Sequence, residues 1–295
     1  MEGCTGWRFV VEELKAAGLV AYLAEPAETS SLRGPKRRAK TDRTDARLLR
    51  ELLEQGRLPS SWIPPTWILD LRTTVRLRKT LVDQRTAWQQ RIHAALFHHG
   101  LPRPTQELLS RGTRAWLEQV ALPPASRQAL AVALRQIDGL DAELDPIDQW
   151  LRTLARRQLG CRALMTHHYG IGAITAPTIL AELGDARRFA GGDQVVRATG
   201  LDITVYASDG KRSPGHLSRQ GPEVLRWALF EAAKAAARPS SPDYAYYTQV
   251  KACQGGNRAT LAVARKLARR VRHTLLRLGD AALAPVEDLP VAEVA

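Results

Sequence analysis

The sequence is short of cysteine, of long apolar runs and of negative charge, and each shortage closes off a class of protein. Its three cysteines, Cys4, Cys161 and Cys253, stand far apart with no C-x-x-C spacing. That excludes a disulfide framework and reads as free thiols in a reducing cytoplasm. The histidines include the adjacent pairs His98–His99 and His167–His168, and neighbours along a helix or strand point apart, so they offer no zinc spacing. No apolar span of ~20 residues, signal h-region or lipidation motif occurs, which argues against a membrane protein. Acid is outnumbered, with 30 Asp and Glu against 43 Lys and Arg, a formal charge of +13 and a pI near 10.2. An excess of that size implies a polyanionic partner, most simply nucleic acid. The 295 residues are ample for a sizeable core and suggest about two domains.

The acids that are present are unevenly placed. KTDRTDARLL, residues 40–49, sets Asp42 and Asp45 three apart at the start of a predicted helix, and Glu2 stands in the small-residue setting MEGCTG. Carboxylates so gathered can hold a hard cation such as Mg²⁺, which takes oxygen ligands in near-octahedral geometry. A purely structural account is also open: Asp42 as N-cap, and Asp45 in a first turn where the helix dipole favours negative charge. Ala46, Leu48, Leu49, Leu52 and Leu53 then form a buried face that Gly56 terminates. Arg33, Lys36, Arg37, Arg38, Lys40 and Arg43 crowd around the acids, as expected where a phosphate is brought to a metal.

Ahead of this helix, residues 6–17 predict an amphipathic helix (Trp7, Val10, Val11, Leu14) ending at Gly18, and LVAYLA, residues 19–24, predicts one short buried strand. A lone strand leaves its backbone groups unpaired, so either a partner chain or strands upstream of Met1 are expected to complete the sheet, the second being favoured. RLPSSWIPP, residues 57–65, reads as a Pro-rich linker. Residues 66–98 then predict a long helix with Trp67, Leu71, Val75, Val82, Trp88, Ile92 and Leu96 on one face, and 125–158 a second, packed back antiparallel and kinked at Pro146. Between 72 and 91 the first carries six basic residues and one acid, Asp83. That face either lies along a nucleic-acid backbone or is the solvated outside of a helical hairpin.

Three further stretches carry chemistry. In HHYGIGAITAPTILAELGD, residues 167–185, Gly170-x-Gly172 precedes an apolar helix, as in turns that aim backbone N–H groups at a phosphate, or simply as a tight interhelical corner. Residues 206–221 read as a polar loop with Ser208, Ser213 and Ser218 among Lys211, Arg212, His216 and Arg219, before a helix opened by Pro222 and Glu223. A serine among cations suits attack on a phosphodiester, whereas Ser208-Asp209-Gly210 alone is a turn signature. The last helix, about 257–278, has seven basic residues and no acid between 258 and 277, among them Arg265, Lys266, Arg269 and Arg270. Phosphate contact is the leading reading and a membrane-surface helix the lesser one. Residues 281–295 read as a disordered tail.

MEGCTGW, KTDRTDARLL, GIGAITAPTILAELGD and SDGKRSPGHLSRQGPEVLRWAL together resemble the DEDD-type transposases of the insertion-sequence one-ten group, bridge-RNA-guided serine recombinases of bacterial mobile elements. The resemblance covers essentially the whole chain. It implies a mainly α fold with an N-terminal α/β remnant. Residues 1–65 would be the C-terminal part of a ribonuclease-H-like, resolvase-like domain, 66–160 a helical or coiled-coil linker, and 161–280 a transposase domain. Residue by residue, Glu2 matches the second acid of the family tetrad, and Asp42 and Asp45 the third and fourth. Ser208 matches the nucleophilic serine before Gly-Lys-Arg, with Asp209 where Gly or Ser is more usual. Gly215, Ser218 and Gly221 match the G-x-I-S-K-x-G run, with Leu217 and Arg219 substituted. The tetrad's first acid is expected on a strand upstream of Met1, through a misassigned start or a truncated, decayed copy. The implied function is strand exchange through a covalent serine–DNA intermediate, with Mg²⁺ on the acids, duplex element ends and target DNA, a structured guide RNA, and a dimer or tetramer at the bacterial nucleoid. A metal-dependent junction nuclease and a catalytically dead nucleic-acid-binding remnant are the alternatives.

Overall fold

The computed structural model describes residues 1–3, 5–32, 41–102, 104, 107–204, 206–208, 211–213 and 215–287, with the backbone alone at 206–208 and 211–213. The chain is mainly helical and divides into two compact units, Met1–Pro65 and Thr66–Ala295.

In the first unit the helical period of the N-terminal stretch gives α1, Trp7–Ala16, which stops before Gly18 at φ 75°. Only Val11 of its apolar face is buried. The expected strand 19–24 is shorter than its composition implies. β1 is Leu23–Ala24 alone, while Leu19 and Val20 are 57% and 79% exposed. Nor is it unpaired. Ser60–Ser61, in the stretch read as a linker, forms β2 antiparallel to it, with Leu23 opposite Ser61 and Ala24 opposite Ser60. On the other edge Glu2 bridges Ala24 in parallel, Ala24 N–H donating to Met1 O at 2.7 Å and Gly3 N–H to Ala24 O at 3.0 Å. The backbone groups of Ala24, and of its neighbour Leu23 in the ladder, thus find partners within this chain. Between the strands lie α2, Pro26–Ser31, and α3, Asp42–Glu54.

The second unit begins with α4, Thr66–His98, which packs against α6, Pro124–Arg157; α5, Arg111–Gln119, lies between them in sequence. The pairing is antiparallel: Leu71 and Val75 meet Ile147, Leu151 and Leu154, while Ile92 and Leu96 meet Leu130, Ala133 and Ile137. Two ion pairs fix the register, Arg78 with Asp148 and Arg85 with Asp141 at 2.6 Å. Seven residues separate the rungs on each helix, the spacing at which the same face returns after two turns. α6 is one helix across Pro146.

The remaining helices are α7, Leu159–His167; α8, Thr175–Leu183; α9, Gly192–Ala198; α10, Glu223–Lys234; α11, Tyr244–Gln254; and α12, Gly256–Leu278. They enclose a core in which Ile179, Leu180 and Leu183 of α8 meet Leu225 and Leu229 of α10 and Val263, Leu267, Val271 and Leu275 of α12. Each such side chain contributes about 1.5–3 kcal/mol on full burial. The expected disordered tail is in part packed. Gly279–Leu283 forms a 3-10 turn with Ala282 buried, and the Gln158 amide donates to Ala282 O at 2.9 Å and Ala284 O at 3.2 Å. Residues 288–295 lie outside the described residues.

Candidate functional site

The acids expected to bind metal sit where helix-start chemistry puts them, with one reassignment. Thr41, not Asp42, caps α3: Thr44 N–H donates to Thr41 Oγ1 at 3.3 Å, and Thr41 N–H donates to Thr44 Oγ1 at 3.2 Å. The hydroxyl pair forms a reciprocal capping box and leaves Asp42 at the first helical position, its carboxylate not needed as a cap. Asp42 and Arg43 are exposed and Asp45 is half-buried; of the expected apolar face only Leu52 is buried, and Leu53 is 45% exposed. Lys36, Arg37, Arg38 and Lys40 lie outside the described residues, as does Arg33. Asp42 and Asp45 are oxygen donors of the right chemistry for a hard cation. Glu2, half-buried beside Ala24, does not join them, and among the described residues no three His, Cys, Asp or Glu side chains form a group that could hold a metal. Among the described residues, Asp42 and Asp45 alone do not complete a Mg²⁺ site.

The segment read as a polar loop is an antiparallel ribbon. β3, Tyr206–Ser208, pairs with β4, Lys211–Ser213, with Ser208 opposite Lys211 and Ala207 opposite Arg212. Asp209 and Gly210, between Ser208 and Lys211, lie outside the described residues; in sequence Asp-Gly is among the pairs favoured by two-residue hairpin loops. Below, the ribbon continues irregularly: Ile203 bridges Leu217, Thr204 N–H donates to His216 O at 2.8 Å and Ser218 N–H to Asp202 O at 3.0 Å. Gly215 passes close to the facing arm, since a Cβ there would stand 1.9 Å from Thr204 O. Sequence reasoning missed one pair at the ribbon's foot, the short hydrogen bond from the Ser218 hydroxyl to the Asp202 carboxylate. The two residues are sixteen apart, and their only signal was that each flanks a glycine-bearing segment.

Gly170 and Gly172 separate into different roles. Gly170 has φ 92°, and a Cβ on it would stand 2.2 Å from Ala232 O of α10. It is a packing glycine. Gly172 has open space around it, and its N–H donates to Thr175 Oγ1 at 2.8 Å. Its amide is therefore already engaged at the start of α8. Just before this turn the buried His168 accepts or donates at Nε2 to Thr274 Oγ1 at 2.8 Å, and burial, with Arg270 and His167 nearby, pushes its pKa down to about 4. In the unfolded chain it takes its proton near pH 6.5. The unfolded state then binds more protons between pH 6.5 and 4, so this contribution is present above 6.5 and lost as pH falls toward 4. Urea unfolding is expected to show about 2 kcal/mol less stability at pH 5 than at pH 7 from this group, and His168→Gln to flatten that slope; an unchanged slope would discard the assignment.

The basic faces are largely committed within the fold. On α4, Arg72 donates to Ala181 O at 2.6 Å and Arg76 grips Glu182 at 2.6 and 2.9 Å. Arg78 and Arg85 pair with α6, Lys79 pairs with Asp83, and Arg91 lies 4.1 Å over the Trp88 ring. Of the expected backbone-gripping face at 72–91, Arg78 and Arg85 thus staple the hairpin and Arg72 and Arg76 reach α8, their partners lying far away in sequence, while Lys79 and Arg91 are engaged within α4 itself. On α12, Arg265 donates to Leu201 O at 2.7 Å, Arg270 pairs bidentately with Asp243, Arg269 pairs with the exposed Asp193, and Lys266 lies 3.5 Å over the Tyr246 ring. Arg258 and Arg277 of the same helix are exposed and have no such partner among the described residues.

Residues 161–248 match the family described as transposase IS116/IS110/IS902, and residues 3–99 match the DEDD transposase family of the IS110 group. A putative transposase, y4qE, of Sinorhizobium fredii is 30% identical over 189 residues, 64% of this chain and 44% of that protein. A probable family 20 transposase of Pseudomonas aeruginosa is 26% identical over 247 residues, 81% of this chain and 70% of that protein. The transposase for insertion sequence element IS1111A of Coxiella burnetii is 23% identical over 279 residues, 90% and 74% of the two chains. The chain spans less than half of the first relative's length and about seven-tenths to three-quarters of the other two. Residues 3–99 thus match one transposase domain and residues 161–248 another, together more than half of the chain, and the chain belongs to the IS110/IS116 family of transposases.

Proposed function

We propose that this chain is an insertion-sequence transposase that exchanges DNA strands through Ser208. The observation that carries the reading is the ribbon of residues 200–219, which sets Ser208 at the closed end of a hairpin directly opposite Lys211 and next to the Ala207–Arg212 pair, within the segment matched to transposases. In the proposed step the Ser208 hydroxyl gives up its proton to a base, its oxygen bonds to a backbone phosphorus, and one P–O bond to sugar breaks, freeing a hydroxyl end. The phosphodiester energy is kept in the Ser–phosphate ester, so a new DNA hydroxyl can reverse the step and join strands. Neighbouring cations favour the charge developing on phosphate oxygens. A structured guide RNA, read by base pairing, and assembly into a dimer or tetramer complete the proposal. Mg²⁺ would need donors beyond Asp42 and Asp45, and no step is assigned to it.

The separation of Glu2 from Asp42 and Asp45 favours a second reading, a chain that binds nucleic acid without cutting it. One experiment decides between them. The purified chain is incubated with the DNA and RNA of its own element and Mg²⁺, then denatured and resolved for protein bound covalently to labelled DNA. Wild type and Ser213→Ala are expected to form the adduct, and Ser208→Ala to lose it at least about a hundredfold. An adduct that survives in Ser208→Ala overturns the nucleophile. Binding with no adduct from wild type selects the second reading.

A further inference from the structure

Arg219 is the one non-glycine residue with positive φ among the described residues, at 54°. A side chain in that region is strained and persists when its surroundings over-determine it, which happens most often at functional sites. The surroundings here are specific. Arg219 N–H donates to Gly200 O at 3.2 Å, and Gly200 is glycine because a Cβ would stand 2.9 Å from the Arg219 carbonyl carbon. The residue before it, Ser218, is held twice by Asp202, through backbone and through side chains. Two residues after it, Gly221 at φ 138° passes so close to Ala198 O that a Cβ would stand 2.3 Å away. All this fixes an arginine that is exposed and whose guanidinium has no partner among the described residues. The same foot of the ribbon gathers further cations, Arg226 donating to Thr199 O at 3.4 Å and Arg265 to Leu201 O at 2.7 Å. Asp202, the acid there, is engaged by Ser218.

We propose that Arg219 is a phosphodiester-binding residue, held in a left-handed conformation so that its guanidinium meets a nucleic-acid backbone beside the Ser208 hairpin. This rests on the reading of the chain as one that acts on nucleic acid. A guanidinium suits the task because its planar fork matches phosphate oxygens and it stays charged. Were Arg219 only a turn residue, glycine would serve better at that φ.

The test separates those roles by opposing their signs. Arg219→Gly, Arg219→Lys and wild type are compared for unfolding midpoint and for binding a labelled random-sequence DNA duplex and a labelled RNA hairpin across a salt series. Arg219→Gly is expected to unfold about 1–3 °C higher while binding about five- to tenfold more weakly, its log–log salt slope smaller by about one. Arg219→Lys keeps charge and strain, and is expected to retain most of the affinity without the gain in midpoint. A loss confined to one probe identifies that nucleic acid as the ligand. Arg219→Gly that binds both probes as wild type does overturns the inference and leaves the functional reading standing. Wild type that binds neither overturns both.

Discussion

Arg76→Ala is expected to lower the unfolding midpoint of the helical unit by about 6–12 °C while leaving the nucleic-acid affinity of the folded protein within about twofold of wild type. The reason lies across the molecule on α8. The Glu182 carboxylate is 1% exposed and receives both Arg76 donors, Nε at 2.6 Å and Nη2 at 2.9 Å. Arg72, the other cation beside it, spends its donors on the Ala181 and Glu182 carbonyls at the C-terminal end of α8. Burial lowers the Arg72 pKa, with the Glu182 charge opposing that fall. Removing Arg76 therefore leaves a carboxylate in the core with charge nearby but its best hydrogen bonds gone. Breaking a buried pair from one side costs about 3 kcal/mol or more, and about 2–4 °C follows from each kcal/mol in a unit of this size. The exposed Lys79–Asp83 pair one turn further on is the internal comparison, because i,i+4 pairs at a surface contribute about 0.3–0.5 kcal/mol. A variant that kept its midpoint but bound DNA tenfold more weakly would return the α4 cations to a phosphate-gripping role.

That contrast shows where reading the chain succeeds and where it stops. The long helices were legible: periodic apolar residues from Trp67 to Leu96 and from Leu130 to Leu154 specify α4 and α6, and both stand where the period places them. The use of their charges was not. Asp141, Asp148 and Glu182 sit 56, 70 and 106 residues from the arginines they hold, and no local pattern announces such a pair. Short strands fail for a different reason. LVAYLA has the composition of a buried strand, yet two residues of it pair, because its partner run Ser60–Ser61 is equally short and is flanked by prolines. The Ser208 ribbon escaped because its arms are polar and three residues long; Asp-Gly was read as a turn, but a turn implies arms only when they carry an alternating apolar signal. Capping chemistry was misassigned by one residue, since aspartate and threonine are both good caps and Thr44 decides in favour of Thr41.

Gly170→Ala and Gly172→Ala, two positions apart in the same motif, are expected to behave oppositely. At 170 the added methyl would stand 2.2 Å from the Ala232 carbonyl oxygen and 2.8 Å from Ala235 Cβ, on a backbone already at φ 92°. The carbonyl belongs to α10, which packs against α8 in the core, so it has no flexible end to swing aside. Overpacking and a forbidden backbone angle add, and a loss of at least about 3 kcal/mol is expected, or about 6–12 °C in midpoint. At 172 nothing lies within 4 Å of the new methyl, and stability should stay within about 0.5 kcal/mol. Affinity for DNA should also hold at 172, because the amide that a phosphate would need is bonded to Thr175 Oγ1. A Gly172→Ala protein that unfolds normally but binds DNA several-fold more weakly would show that a phosphate displaces Thr175 there, and the G-x-G turn would regain its place as a backbone-binding site. Failing that, the motif is read by helix packing alone: its first glycine lets α10 come close, and its second merely opens α8.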